Sequence, residues 1–154
     1  MNPTTALQLR PACDCDLPEL IALERECLPP DQRLPPTILE YIASQRSCST
    51  FVAGAPGVVG SVTVHRLRGP MAEIISLHVL PDRRNSHVGT ALMLKAEEWV
   101  ESRGASTIYL EVDVSNSAGI ALYHRLGYEV IEEFVEDGEP RFVMRKALGA
   151  ASAP

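Results

Sequence analysis

The segment Leu77–Thr90 constrains the fold of this chain more than any other, because it joins a predicted strand directly to a long predicted helix. Pro81 ends the strand, since proline cannot donate to a sheet ladder. From Val88 to Arg103 apolar residues recur at helical spacing, and Gly104 ends the helix. A loop at a helix N-terminus offers unpaired N–H groups and the positive end of the helix dipole, which suits a pyrophosphate. The alternative is a solvated turn.

Before this junction, the sequence predicts a short strand, two helices and then three strands. A short strand at Leu7–Arg10 leads to a helix capped by Asp16, and a second short helix covers Thr37–Gln45. Three β-rich runs separated by AlaProGly and ArgGlyPro turns should then form an antiparallel meander: Phe51–Gly54, Val58–Leu67 and Met71–Leu80.

The chain after the long helix predicts a strand, a helix and a hairpin. Thr107–Val114 alternates apolar and polar residues, as in a strand with one polar face. Asn116 caps a last helix, which Gly127 closes, and the AspGly pair at Asp137 turns a final hairpin. The elements together predict an α/β domain around a mixed sheet.

Length and charge exclude several classes of protein. The 154 residues suit one domain over residues 1–148, followed by a disordered, small-residue-rich tail over 149–154. The net charge of −6, with 14 basic against 20 acidic residues, argues against a nucleic-acid partner. No leader pattern opens the sequence, and nowhere do 18 uncharged apolar residues follow one another, so we expect a cytoplasmic protein without a membrane segment.

The cysteines predict no metal centre. All four lie in the first third of the chain, without a second Cys/His cluster: Cys13, Cys15, Cys27 and Cys48. We expect free thiols. Cys13 and Cys15 could supply half of a zinc site, but the flanking Asp14, Asp16 and Pro18 are more typical of a helix start.

The loop before the long helix resembles motif A of the GNAT acetyltransferases, which reads Gln or Arg, two variable residues, Gly, one variable residue, then Gly or Ala. Arg84 and Gly89 occupy its ends, whereas His87 replaces the inner glycine, which normally lets the backbone approach the phosphates. The His87 side chain either points outward or touches a phosphate itself. The resemblance implies that acetyl-CoA, as cosubstrate, contacts this segment: Leu77, His78, Val79, Arg84, Asn85, Ser86, His87, Val88, Gly89 and Thr90.

The segment Asn116–Tyr128 resembles motif B of the same family, in the family's order and separation from motif A. The resemblance covers about Val58–Lys146 and implies a mostly antiparallel central sheet flanked by about four helices. It also implies that Asn116 contacts the pantetheine arm and that Tyr123 lies beside the sulfur as general acid, since a leaving thiolate is more stable when protonated. Alternatively, Tyr123 only fills the apolar stripe of its helix.

Two glutamates compete as the general base that deprotonates the amine. Glu111 matches the proposed base of the ribosomal-protein-alanine acetyltransferase branch, which the run LeuGluVal and the TyrxxxGlyTyr ending also resemble. Glu73 resembles in position the base of the histone acetyltransferase branch. A water chain, or no dedicated base, is the remaining alternative. His78 is more typical of a strand end than of a catalyst. The oxyanion is expected to bind backbone N–H groups near Leu77–Val79.

The resemblance predicts direct transfer of acetyl from acetyl-CoA to a primary amine in a ternary complex. No Cys or Ser is placed for an acyl-enzyme. The acceptor is either a peptide N-terminus or a small amine, and the enzyme a monomer or a homodimer. A non-catalytic acyl-CoA-binding or sensing module is the rival prediction. A nucleotide site is disfavoured, because neither GlyxGlyxxGly nor GlyLysSer/Thr occurs.

Overall fold

The computed structural model describes residues 7–54 and 57–149. Its strands are β1 (Leu9–Pro11), β2 (Cys48–Ala53), β3 (Gly60–Arg66), β4 (Met71–Val79), β5 (Thr107–Asp113), β6 (Glu129–Glu136) and β7 (Glu139–Ala147). Its α-helices are α1 (Leu17–Cys27), α2 (Pro36–Ser44), α3 (Val88–Glu101) and α4 (Ser117–Arg125). The order of helices and strands is the one predicted from the sequence.

The strands form one mixed sheet in the order β1-β2-β3-β4-β5-β7-β6. β1 pairs antiparallel with β2, and β7 pairs antiparallel with both β5 and β6. β4 and β5 are parallel neighbours, because α3 carries the chain back between them. The predicted mostly antiparallel sheet with four helices is confirmed.

Two compact units make up the chain. The first consists of the residues up to Thr63 and of Ser76–Ala96, and its buried residues include Leu23, Phe51, Val52, Val62, Leu92 and Met93. The second consists of Val64–Ile75 and of the residues from Glu97 onward, and its buried residues include Ala72, Ile108, Leu110, Val112, Tyr128 and Met144. The alternation predicted for β5 is confirmed, since Ile108, Leu110 and Val112 are all buried. A single domain over residues 1–148 stays a prediction.

A disulfide precedes α1. The sulfurs of Cys13 and Cys15 are bonded at 1.98 Å, so the prediction of free thiols is wrong for this pair. The physical reason is local: the chain places their Cα atoms 5.2 Å apart, a separation that a disulfide spans. Cys27 and Cys48 are thiols, as predicted.

Asp16 stands at the N-cap of α1, but its carboxylate does not cap this helix. It accepts two hydrogen bonds from the Arg10 guanidinium, at 2.7 and 2.8 Å, and one from the Cys13 N–H at 2.8 Å. The bond from Arg10 is the main cause that lowers the pKa of Asp16 to about 2. The prediction that Asp16 caps the helix is therefore wrong: its carboxylate binds Arg10 and not the N–H groups of α1. A guanidinium that donates two hydrogen bonds binds a carboxylate more strongly than a neutral N–H group does.

Two sequence predictions lie largely outside the described residues. These are the AlaProGly turn, of which only Gly57 is described, and the disordered tail, of which only Gly149 is described. Among the described helices, none is both long and apolar enough to cross a lipid bilayer.

Candidate active site

The junction between β4 and α3 has the predicted form. Pro81–Arg83 make one 3-10 turn after the strand, and α3 begins at Val88. Asn85 and His87 have positive φ angles, of 63° and 68°, which most residues other than glycine avoid. His87 thus adopts the backbone conformation that the motif glycine would provide, and its side chain is exposed. Whether the exposed imidazole also touches a phosphate stays a prediction.

The first turn of α3 supplies hydrogen-bond donors. The Ala91 N–H donates to the His87 carbonyl at 3.0 Å, which begins the helical ladder. The N–H groups of Val88, Gly89 and Thr90 precede that bond and therefore have no acceptor within the helix. They lie at the positive end of a 14-residue helix, where an anion is stabilised.

Side chains of the first unit converge on the last carbonyl of β4. The Arg84 Nε–H donates to the Val79 oxygen at 3.2 Å, and the Cys27 thiol donates to the same oxygen at 3.3 Å. Burial raises the pKa of Cys27 and, with help from the positive charge of Arg84, lowers the pKa of His78. These shifts favour a neutral thiol and a neutral imidazole, so neither is activated as a nucleophile or a cation.

The two candidate bases lie on the same face of the second unit. Glu73 pairs with Tyr109 across the parallel β4–β5 ladder, and Glu111 follows Tyr109 by two residues, so all three side chains point to one side. Pairing between the strands ends at Glu73 and Tyr109, although both strands continue. Each glutamate has one basic neighbour: Glu73 lies 3.8 Å from His65 Nδ1, and Glu111 lies 3.8 Å from Arg141 Nε.

Asn116 caps α4 as predicted. Its Oδ1 accepts the Gly119 N–H at 3.0 Å. A Cβ at position 119 would come within 2.6 Å of the Asn116 amide nitrogen, so glycine there leaves room for the capping side chain. The exposed amide retains its Nδ2 donors for another partner.

Tyr123 is buried in the stripe of α4, and burial raises its pKa to about 12. Its ring meets that of Tyr128 edge to face, with centroids 6.0 Å apart. Among the described residues the Tyr123 hydroxyl has no hydrogen-bond partner, but its oxygen, unlike the ring, is not shut off from solvent.

A buried polar network lies behind Tyr123. The Tyr128 hydroxyl donates to Glu97 Oε2 at 2.9 Å, and Lys146 Nζ donates to Glu97 Oε1 at 2.7 Å. Glu97 stands between the apolar positions of α3, yet it is only 5% exposed. Its two partners come from α4's C-terminal flank and from β7, so helical periodicity could not reveal them.

The acetyltransferase (GNAT) family profile matches residues 17–128. This chain belongs to the GNAT acetyltransferase family. The predicted family resemblance is confirmed. An N-alpha-acetyltransferase from Sulfurisphaera tokodaii is 28% identical to this GNAT chain over 92% of the chain and 93% of the relative. The ribosomal protein bS18-alanine N-acetyltransferase of Escherichia coli is 40% identical over 57 residues, 37% of this chain and 38% of the relative.

Solved GNAT structures share the fold. A GCN5-related N-acetyltransferase from Kribbella flavida has a TM-score of 0.80 and 27% identity, over 95% of this chain and 100% of that one. Arabidopsis thaliana NAA60 in complex with acetyl-CoA has a TM-score of 0.82 and 16% identity, over 94% and 100%. The chain spans only 32% and 38% of the length of two curated relatives, the latter the alanine acetyltransferase.

The second unit brings together more of this GNAT site than the sequence indicated. Glu73 and Glu111 share a face, but Arg141 and His65 were not anticipated beside them. Arg141 reaches Glu111 through the antiparallel register of β5 with β7, in which Glu111 faces Val143 and Asp113 faces Arg141. The AspGly turn in the sequence predicts the hairpin of β6 and β7, but it does not predict that β7 also pairs with β5.

The backbone at His87 gives a testable stability prediction. We expect the free energy of unfolding of His87→Gly to lie within about 1 kcal/mol of the wild-type value. Glycine adopts the positive φ angle without strain, but it loses more chain entropy on folding. The free energy of unfolding of His87→Val should be about 1–2 kcal/mol lower than that of the wild type, since a β-branched residue strongly disfavours a positive φ angle. Thermal unfolding measures both, and calorimetry with CoA should show weaker binding only for His87→Val. Equal stability of the two variants would contradict the prediction.

Proposed function

We propose that this GNAT protein transfers the acetyl group of acetyl-CoA to the α-amine of a peptide N-terminus, by direct attack in a ternary complex. The observation that carries the proposal is the pairing of chemical roles in the second unit. Tyr123 has a buried ring and a hydroxyl without a hydrogen-bond partner among the described residues. Glu111, twelve positions earlier in the chain, is half exposed, and its carboxylate accepts no hydrogen bond from the described residues. The N-alpha-acetyltransferase relative supports the choice of an α-amine.

The cosubstrate would be held by the first unit. The N–H groups of Val88, Gly89 and Thr90 are proposed to bind the pyrophosphate, with the side chains of Arg84 and Ser86 nearby in sequence. Asn85 and His87 supply the left-handed conformations that turn the loop toward the helix. The main-chain groups of Leu77, His78 and Val79 are proposed to pair with the pantetheine amides and to stabilise the oxyanion.

The proposed reaction needs two proton transfers. Glu111 accepts a proton from the ammonium group of the acceptor, and the neutral amine attacks the thioester carbon. As the tetrahedral intermediate collapses, its nitrogen loses a second proton to solvent and CoA leaves as a thiolate, which accepts a hydrogen bond from the Tyr123 hydroxyl. We place Glu111 ahead of Glu73 as base, because the run LeuGluVal at Glu111 resembles the alanine acetyltransferase branch, and a relative of that branch is 40% identical to this chain over 57 residues.

Release of CoA thiol in the presence of acetyl-CoA and a panel of amines tests the proposal. The panel contains peptides with free N-termini, the same peptides blocked at the N-terminus, and polyamines. We expect the free peptides to be the best acceptors. Glu111→Gln should lower kcat/KM by about 100-fold or more, the usual effect of losing a general base, whereas Glu73→Gln should change it by less than about 5-fold.

The reverse order of the two variants would make Glu73 the base. A protein that binds CoA but releases no thiol with any amine would instead be the non-catalytic acyl-CoA-binding module. Loss of CoA binding altogether would overturn the assignment of the cofactor loop.

A further inference from the structure

Arg141 of the second unit has a buried N–H group with nothing to bind. Its Nε is inaccessible to solvent and has no hydrogen-bond partner among the described residues. The nearest carboxylate oxygen, Oε1 of Glu111, is 3.8 Å away, beyond hydrogen-bond distance. A buried donor left unpaired costs about 1–3 kcal/mol, so such a group calls for a partner that binds from outside the chain.

The neighbours of Arg141 leave its guanidinium available. Asp113, directly opposite on β5, is engaged by Ser115, whose N–H and hydroxyl donate to Oδ1 at 2.9 and 2.6 Å. Those bonds are the main causes that lower the pKa of Asp113. Phe134, opposite on β6, offers no acceptor. The Arg141 side chain is still 28% exposed and that of Glu111 51%, so a ligand can reach the Glu111 carboxylate and the exposed part of the Arg141 guanidinium.

We propose that Glu111 and Arg141 together bind the first residue of the acceptor peptide, with the amine at Glu111 and the adjacent carbonyl oxygen at the exposed part of the Arg141 guanidinium. The inference rests on the proposed function and assigns a specificity-determining residue to the same site. It identifies the acceptor as an α-aminoacyl group, H₂N–CHR–C=O.

The spacing of the two protein groups fits that ligand. In an α-aminoacyl unit, three bonds join the nitrogen to the carbonyl oxygen, which places the two atoms about 3 Å apart. Arg141 Nε lies 3.8 Å from Glu111 Oε1, which places the guanidinium beside the carboxylate. Two hydrogen bonds of ordinary length can therefore run side by side, from the amine to Glu111 and from the Arg141 guanidinium to the carbonyl.

The charges of the pair disfavour the other class of amine. A polyamine would bring a second ammonium group toward the Arg141 guanidinium, which is always protonated. Like charges at a few ångströms repel, and the carbonyl partner would be missing. The net charge of −6 of the whole chain favours cations at long range, but the local pair at β5 and β7 selects against a second positive charge.

Two matched acceptors and two matched variants test the role of Arg141. The acceptors are an alanine-initiated tetrapeptide and the same compound with an (E)-alkene in place of the first peptide bond, which keeps the shape but lacks the carbonyl oxygen. The variants are Arg141→Met and Arg145→Met. Arg145 lies on the same strand and the same face, opposite Tyr109 and Glu129.

We expect Arg141→Met to lower kcat/KM for the peptide by about 10-fold to 100-fold, the loss of one hydrogen bond from a charged donor, chiefly through KM. For the alkene compound the loss should stay below about 3-fold, and Arg145→Met should affect neither acceptor. Thermal unfolding within a few degrees of the wild type shows that both variants fold.

An equal loss on both acceptors would overturn the inference, because Arg141 would then act only by holding Glu111. Calorimetric titration of each acceptor into the CoA complex separates this result from failure of the proposed function. If no acetyl transfer occurs, weaker binding of the peptide but not of the alkene compound to Arg141→Met still supports the two-point site, and unchanged binding of both overturns it.

Discussion

Tyr123→Phe should lower kcat by about 100-fold while leaving the KM for acetyl-CoA within about 3-fold of the wild type. The substitution removes one oxygen and keeps the ring that packs edge to face against Tyr128. Since the hydroxyl has no partner among the described residues, its removal breaks no internal hydrogen bond. The effect should therefore fall on the chemical step and not on folding.

The size of this effect follows from the acidity of the phenol. Positioned acids and bases contribute about 10²–10⁴-fold, and the largest effects need a pKa near the working pH. Burial raises the pKa of Tyr123 to about 12, whereas an ordinary thiol has a pKa of about 8.5. Full proton transfer to the thiolate is uphill, so Tyr123 stabilises the leaving sulfur mainly as a hydrogen-bond donor, and we place the loss at the low end.

The pH profile gives a second measurement of the same role. A donor is active while it is protonated, and Tyr123 stays protonated until the pH approaches about 12. Tyr123 should therefore produce no fall in kcat between pH 6 and 10 in the wild type. Tyr128→Phe is the matched control, because it removes a hydroxyl bound to Glu97 and should keep kcat within about 3-fold in the folded protein. A kcat for Tyr123→Phe within 2-fold of the wild type would exclude the phenol from catalysis.

Local patterns in the sequence were sufficient for most of the fold. The alternation of Thr107–Val114, the Asn116 cap and the AspGly turn each depend on residues close together in the chain, and the structure contains all three. The strand-to-helix junction was predictable for the same reason. Its positive φ angles at Asn85 and His87 were not, because neither residue requires them, and only the motif glycine suggested such a conformation.

The side-chain partners of the site depend on contacts between distant segments. Arg141 and Glu111 are 30 positions apart and meet only through the pairing of β5 with β7. Glu97 and Lys146 are 49 positions apart. The capping error at Asp16 has a different origin, since Arg10, only six positions earlier, competes for the carboxylate. A pattern of single residues along the chain contains no information on which distant cation comes nearest.

Lys146→Met should destabilise the protein by about 3 kcal/mol, the largest stability effect that we expect. Glu97 is buried and its carboxylate has two donors, the Tyr128 hydroxyl and the Lys146 ammonium group. Removing the ammonium leaves a buried negative charge without its counter-ion, which costs about 3–5 kcal/mol in protein interiors. We use the low end because the Lys146 side chain is 22% exposed, so water partly replaces the lost donor.

For a chain of this size, 1 kcal/mol shifts the melting temperature by roughly 2–4 °C, so calorimetry should show a fall of roughly 6–12 °C. Arg145→Met, on the same strand but exposed, should change the free energy of unfolding by less than about 0.5 kcal/mol. A melting temperature for Lys146→Met within 2 °C of the wild type would show that the Glu97 carboxylate does not depend on the ammonium group.

The double variant Glu97→Gln, Lys146→Met separates the cost of the unpaired charge from the loss of packing. If the cost is electrostatic, the double variant should be more stable than Lys146→Met alone, because a neutral amide replaces the unpaired carboxylate and still accepts the Tyr128 hydroxyl.

The same variants bear on catalysis, since Tyr128 joins this network and packs against Tyr123. Assayed well below its melting temperature, Lys146→Met should keep kcat within about 3-fold of the wild type, as expected for Tyr128→Phe, because Glu97 remains the partner of the Tyr128 hydroxyl.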